Sequence, residues 1–379
     1  MKSLILYPYP MELDGISIQG EMLYRGLKEN GQPCTRCDRE AEMEKELIYK
    51  SFKPDVVIGA GYWGDTPTII DHPMHHGITA VPWLNADGWV SNYHDILNSL
   101  PLMMATSRWV KHTYKRDGVD TKNMEVMPIG IDMQEMRPLP KSDTRVEQIR
   151  KMLRIKPHEK MIFTAGGDTT SKGFQEVLKA LGKINEEFKD WVYVGKSWEC
   201  KTPYYHYKDE LKIMRDLGIR RKVRFFDGPL SREFMCCALN ACDVYAAPSR
   251  IDGFGMIQVE AQACGKPVLG VDSMGIKDTV IHDETGFLAK VGEEVKLEEE
   301  WVYREQGFKK KHKIQFDEPK TFAVRADVDD LAEYLLKLLT DNELCEKMGK
   351  QGREHVVKNF EYKHIAKRVE TLVEKKLGI

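Results

Sequence analysis

Short apolar runs alternate with amphipathic stretches along most of this chain, and that rhythm limits its fold more than any other feature. An apolar run followed by a helix-period stretch, repeated many times, is the pattern of βα units whose strands lie parallel and covered on both faces. Two such series are legible. The first predicts strands at 3–7, 55–59, 79–83, 102–106 and 125–128, and the second at 161–165, 191–195, 223–226, 243–246 and 267–271. Between them, residues 136–142 (MRPLPKS) hold two prolines and no periodicity, so they read as a junction, followed by a charged helix over 143–154. A chain of 379 residues, 42% hydrophobic, has material for two or three full cores. The expected architecture is α/β, with two Rossmann-like doubly wound domains whose ligand edges face each other across a cleft.

The segment PSRIDGFGMIQVEAQACGKPV, residues 248–268, concentrates the chemistry. A short buried strand ends at Pro248 and Ser249, Gly253 and Gly255 permit a tight turn, and a helix opens near Met256. The first turn of a helix carries unpartnered N–H groups and partial positive charge. The amides of Phe254, Gly255, Met256 and Ile257 are therefore candidates to hold a diphosphate without a metal. Asp252 before the helix and Glu260 inside it flank that cradle. Carboxylates accept strong hydrogen bonds from paired hydroxyls, which suits a sugar at one end and a ribose at the other.

This segment resembles the donor motif of retaining glycosyltransferases with the GT-B fold, family 4, in which two glutamates are separated by seven residues. Here the first is Asp252, one methylene shorter. The stretch TAGGDTTSKGFQEVLKAL, residues 164–181, follows a strand and opens a helix, with Lys172 beside Gly173. In the family two basic residues clamp the diphosphate here. Lys172 matches one, whereas Gly167 stands where the arginine belongs, so only one cation carries over, with the Gly167 backbone counted in the grip. Gly15, after the first strand, takes the place of the family's glycine pair and would approach a phosphate; an ordinary turn is the alternative. The family's histidine after the strand AVPWLNADGW is absent. Asn85 and Asp87 are the polar groups there, and Asp87 would orient or deprotonate an acceptor hydroxyl, unless Asp-Gly is only a turn.

The resemblance implies an N-terminal acceptor-binding domain over 1–140, a C-terminal donor-binding domain over 141–358 and a last helix, 359–379, returning to the N-terminal domain. It also implies a metal-independent transfer of a hexose from a UDP- or GDP-linked sugar to an acceptor hydroxyl, with Lys172, Asp252, Asp87 and Asn85 as catalytic candidates and no further cofactor. The alternative is a noncatalytic nucleotide-sugar-binding subunit, motivated by the missing arginine and histidine. The DxD-like Asp327–Asp329 lies at a helix start near the end of the chain, which gives little support to a metal-dependent transferase.

With 57 basic against 59 acidic residues, no nucleic-acid-binding surface is announced. A short N-terminal apolar run ending in prolines reads as a first strand, and no segment matches a membrane span, so a cytoplasmic setting is expected. Cysteines 34, 37, 200, 236, 237, 242, 264 and 345 are scattered as free thiols would be. The basic helix at 108–116 suits either an anionic lipid surface or plain exposure. The charged insertion 292–324 reads as a protruding hairpin, either solvated or touching another subunit or an anionic surface. His72, His75 and His76 cluster on a helical stretch whose spacing offers them no carboxylate partner, and are expected to be surface histidines.

Overall fold

The computed structural model describes residues 1–86, 88–140, 142–166, 170–197 and 205–379. The chain forms two compact units: Met1–Asp132, Lys296–Phe322 and Asn359–Ile379 make the first, Met133–Val295 and Ala323–Lys358 the second.

The first unit alternates β1 (Ser3–Tyr7), α1 (Gly15–Glu29), β2 (Cys34–Asp38), α2 (Glu42–Ser51), β3 (Val56–Gly61), α3 (His72–His75), β4 (Thr79–Leu84), α4 (His94–Ser99), β5 (Met103–Ala105), α5 (Arg108–Arg116) and β6 (Met124–Val126). Its six strands lie in the order β2-β1-β3-β4-β5-β6, with parallel pairing throughout. The first four residues after Ser3 are completely buried, as a strand covered on both faces requires. The C-terminal helix α14 (Tyr362–Leu377) packs on α1. Gly26 permits that approach, because a Cβ there would stand 2.6 Å from Ala366 Cβ and 2.9 Å from the Tyr362 carbonyl.

The second unit runs α6 (Thr144–Met152), β7 (Lys160–Ala165), α7 (Phe174–Ile184), β8 (Trp191–Ser197), α8 (Tyr205–Asp216), β9 (Val223–Asp227), α9 (Arg232–Ala241), β10 (Val244–Ala246), α10 (Met256–Ala263), β11 (Val268–Val271), α11 (Ile276–Thr279) and β12 (Gly286–Ala289). Its strand order is β12-β11-β10-β7-β8-β9, again parallel. The helices α12 (Val328–Thr340) and α13 (Asn342–Phe360) follow, α12 capped by the Asp327 side chain on the amides of Asp329 and Asp330. Edge strands β2 and β12 were not expected from the sequence.

Two boundaries differ from the sequence reading. Residues 133–140, expected at the end of the N-terminal domain, belong to the second unit, where Arg353 donates to the Met136 carbonyl at 2.8 Å and Asn240 to the Arg137 carbonyl at 2.9 Å. The charged insertion forms a two-stranded ribbon, β13 (Val291–Val302) and β14 (His312–Ala326), and most of it, 296–322, is part of the first unit. Its apolar residues recur on one face: Val302 is fully buried, and Phe308, Ile314, Phe316 and Phe322 pack against the first unit's core with Trp63 and Trp89. Lys320 Nζ lies 2.9 Å from a carboxylate oxygen of Asp117. The heavy charge on the other face hid this partner from a compositional reading.

Candidate functional site

In each sheet, ligands are expected at the carboxyl ends of strands where the order of strands reverses direction. In the second unit that point lies between β7 and β10, and the loops after these two strands carry Lys172 and Asp252. The loops are joined: the Arg250 amide donates to the Ser171 carbonyl at 2.8 Å. Gly173, at φ +78°, caps the start of α7, and a Cβ there would meet the Pro248 carbonyl oxygen at 2.3 Å. Only glycine meets both the left-handed turn and the close crossing.

Lys172 lays its aliphatic stem over Gly166, where a Cβ would come within 2.6 Å of Lys172 Cγ. Its ammonium stands 2.7 Å from Asp252 Oδ2. The other oxygen, Oδ1, accepts from the amides of Phe254 at 3.2 Å and Gly255 at 2.7 Å. Two of the four amides expected to face a diphosphate are thus satisfied within the loop itself. An aspartate two residues before a turn amide reaches back by an Asx turn, which competes with any external anion. Met256 and Ile257 open α10 and have no intrahelical acceptor. Burial pushes the Asp252 carboxyl up, but the Lys172 charge and hydrogen bond, with the two amides, outweigh it and hold the group below the usual range. It is an anion at neutral pH.

Glu260 is also committed. Its carboxylate is 2% exposed and pairs with Arg232, which contacts Glu135 at 3.3 Å through Nε. The expected open face toward a ribose is occupied by a guanidinium. Sequence reasoning missed Arg232, although Ser231 caps the helix that it opens, directly after the loop following β9. One terminal nitrogen of Arg232 is buried without a partner. Lys196, near the end of β8, was missed too; burial pushes its ammonium down to about 8. Gly167 lies outside the described residues. A separate cavity of about 370 Å³ between α6 and α9, lined by Ile149, Met152, Phe234 and Cys237, shares no residue with these loops.

In the first unit the corresponding loops hold structure more than open chemistry. Gly15 is the first residue of α1, and Asp14 caps it, accepting from Ile16 at 2.8 Å and Ser17 at 3.1 Å. A carboxylate therefore stands where a phosphate was expected. Asn85 is fixed on all sides: its amide nitrogen donates to Gln19, its side-chain oxygen accepts from Thr106 at 2.6 Å, and its carbonyl accepts from Tyr114. Asp87 lies outside the described residues.

Two doubly wound parallel sheets, in separate units, define the GT-B class of fold. The likeness extends over whole chains: the Anabaena protein HepE, solved in complex with UDP and glucose, matches with a TM-score of 0.73 at 14% identity, covering 99% of this chain and 100% of that one. Sucrose-phosphate synthase from Thermosynechococcus elongatus matches with a TM-score of 0.74 at 16% identity, covering 100% of both.

In sequence, residues 145–315, which include Lys172, Asp252 and Glu260, match the family described as glycosyl transferases group 1. D-inositol 3-phosphate glycosyltransferase of Corynebacterium diphtheriae is 32% identical over 153 residues, 39% of this chain and 35% of that protein. N-acetyl-alpha-D-glucosaminyl L-malate synthase of Bacillus anthracis is 25% identical over 226 residues, 59% of this chain and 48% of that protein. The matched segments thus span less than half the length of either relative. Together the comparisons liken residues 145–315 to glycosyl transferases of group 1 and the whole chain to proteins of the GT-B fold.

Proposed function

We propose that this chain is a retaining, metal-independent glycosyltransferase that moves a hexose from a nucleoside diphosphate sugar to an acceptor hydroxyl. The observation that carries the reading is the Lys172 ammonium, held beside Asp252 at the reversal point of the second sheet, next to the opening turn of α10. A cation and free amides fixed in advance stabilise the charge that develops on a departing diphosphate and need no reorganisation when the bond breaks. The relatives' names include sugar transfer to small hydroxyl compounds, and the HepE structure holds UDP and glucose, which favours a UDP-linked donor here.

On this reading the residues divide their work. Asp252 shapes the loop and aims Lys172; its remaining lone pairs accept from sugar hydroxyls. The amides of Met256 and Ile257 take the diphosphate, with those of Phe254 and Gly255 joining if Asp252 turns toward the sugar. Arg232 and Glu260 form a buried ion pair that positions α9 against α10. Front-face attack, with the leaving phosphate oxygen accepting the acceptor proton, keeps the anomeric configuration and explains why no histidine is needed. Asp87 is the side-chain base in the alternative proton route, and Asn85, two residues before it in sequence, holds the chain directly after β4. The free state of all seven cysteines among the described residues fits a reducing, cytoplasmic setting. No helix among the described residues is long and apolar enough to cross a membrane.

A second reading, a nucleotide-sugar-binding subunit without turnover, is favoured by the loop amides already being held by Asp14 and Asp252. Incubation with UDP- and GDP-hexoses and a panel of hydroxyl acceptors, in the presence of a chelator, separates the two. Transfer with retained configuration supports the enzyme. Donor binding without transfer or hydrolysis supports the subunit, and loss of transfer on chelation defeats metal independence.

A further inference from the structure

The sequence reading paired no carboxylate with His72, His75 and His76; the fold brings Glu46 to two of them. Helix α2 places Glu46 beside the His72–His76 turn, and one ligand atom from each of Glu46, His72 and His76 lies within 4.8 Å of the others. His72 and His76 are four residues apart on a helical turn, with ring centroids separated by 5.0 Å. Glu46 Oε1 is 4.0 Å from His76 Nε2. A wide turn with i→i+5 bonding over Pro67–Asp71 precedes the histidines and sets the face that they present to α2. His75, by contrast, is held by the Asp71 carbonyl at 2.8 Å and stays out of the cluster.

The surroundings complete a ligand environment. The buried Tyr49 places its hydroxyl 3.1 Å from His72 Nδ1; with Nδ1–H donating to the phenol oxygen, Nε2 keeps its lone pair for a metal, the arrangement in which an outer group orients a metal-bound histidine. The Lys50 ammonium, 3.7 Å from the other Glu46 oxygen, is an exposed i,i+4 partner that a dication displaces at small cost. Two imidazoles and one carboxylate form a set that suits zinc with a water in the fourth position.

We propose that Glu46, His72 and His76 form a zinc site in the first unit that clips α2 to the His72–His76 turn. It lies on other elements than the Lys172 and Asp252 loops and serves stability rather than sugar transfer. Binding draws the three ligand atoms inward by side-chain rotation. Because the unfolded chain scatters them, zinc stabilises the folded state in proportion to its occupancy.

Calorimetric titration of the chelator-stripped full chain with Zn(II), repeated with Co(II) for its absorption spectrum, tests the site. The expected result is one equivalent bound, an intense tetrahedral cobalt band, and a melting midpoint that rises with zinc. His76→Gln, at an exposed position, removes the band and the midpoint shift. Tyr49→Phe keeps the ring but removes the hydroxyl, and weakens binding about tenfold or more. No saturable binding overturns the site. Binding that survives His76→Gln but is lost on thiol alkylation assigns the metal to cysteines and overturns it equally. Nucleotide-induced shifts in the His76→Gln protein report on the donor reading separately.

Discussion

The two sheets are built from the same parallel βα units, yet they spend their polar groups differently. In the first unit, the loop groups at the carboxyl ends are turned inward: Asp14 consumes the amides that open α1, and Asn85 is closed off by Gln19, Thr106 and Tyr114. In the second, Asp252 also holds two amides, but it keeps a lysine at its other oxygen and leaves the opening residues of α10 without intrahelical acceptors. The strand orders differ as well, reversing between β1 and β3 in one and between β7 and β10 in the other. A parallel sheet supplies a place for a ligand; whether the place is chemically active depends on where its loops leave unsatisfied donors and charges.

Four perturbations sharpen or break that contrast. The largest effect on stability is expected from Arg232→Met, which leaves Glu260 buried without its cation. Urea unfolding of the second unit should show a loss of about 3–5 kcal/mol. A change below 1 kcal/mol, on the scale of an exposed ion pair, would mean that the pair is solvated and Glu260 is open to a ligand. Lys172→Met comes next, now in activity: initial rates should fall by about 10²–10³, with a smaller loss of stability than in Arg232→Met, since Asp252 retains its two amides.

Asp14→Ala in the first unit should cost about 1 kcal/mol as a lost helix cap, read by denaturant midpoint, and leave turnover nearly unchanged. A collapse of turnover would place Asp14 in the chemistry and dissolve the contrast. The smallest effects are expected in acid. Asp252 and Asp117 are both held below the ordinary carboxylate range: burial pushes each up, but Lys172 and two amides outweigh it for Asp252, as do Arg116, Lys320 and the Val90 amide for Asp117. A depressed folded value means that the stabilisation is complete above an unfolded value of about 3.9 and fades as pH falls through the folded one. Lys172→Met and Lys320→Met should each shift the start of acid unfolding upward, in the second and first unit respectively, followed by fluorescence.

Much of the fold was legible because buried parallel strands are nearly continuous apolar runs, as at Ser3–Tyr7 and Lys160–Ala165. Strand β2, CTRCD, was not, since an edge strand half covered by its neighbours carries threonine, arginine and aspartate. The ribbon's strand character showed in its alternation, but alternation names a buried face without naming what covers it; Trp89 against Phe316 had to be seen. In the candidate site, Lys172 and Asp252 were readable from loop position. Their mutual pairing, and that of Arg232 with Glu260, joins residues far apart in sequence and leaves no local trace. The same separation hid Glu46 from the two histidines that it faces.

The central claim is that the donor site lies in the second unit at the Lys172 and Asp252 loops. Its most direct test is a thermal-shift titration of UDP, GDP and their hexose conjugates on the wild-type, Lys172→Met and Asp14→Ala proteins, since a ligand that binds only the folded state raises its stability with occupancy. The account predicts a shift with one nucleotide in the wild type, kept in Asp14→Ala and abolished in Lys172→Met. A shift that survives in Lys172→Met but disappears in Asp14→Ala would move the site to the first unit and contradict it.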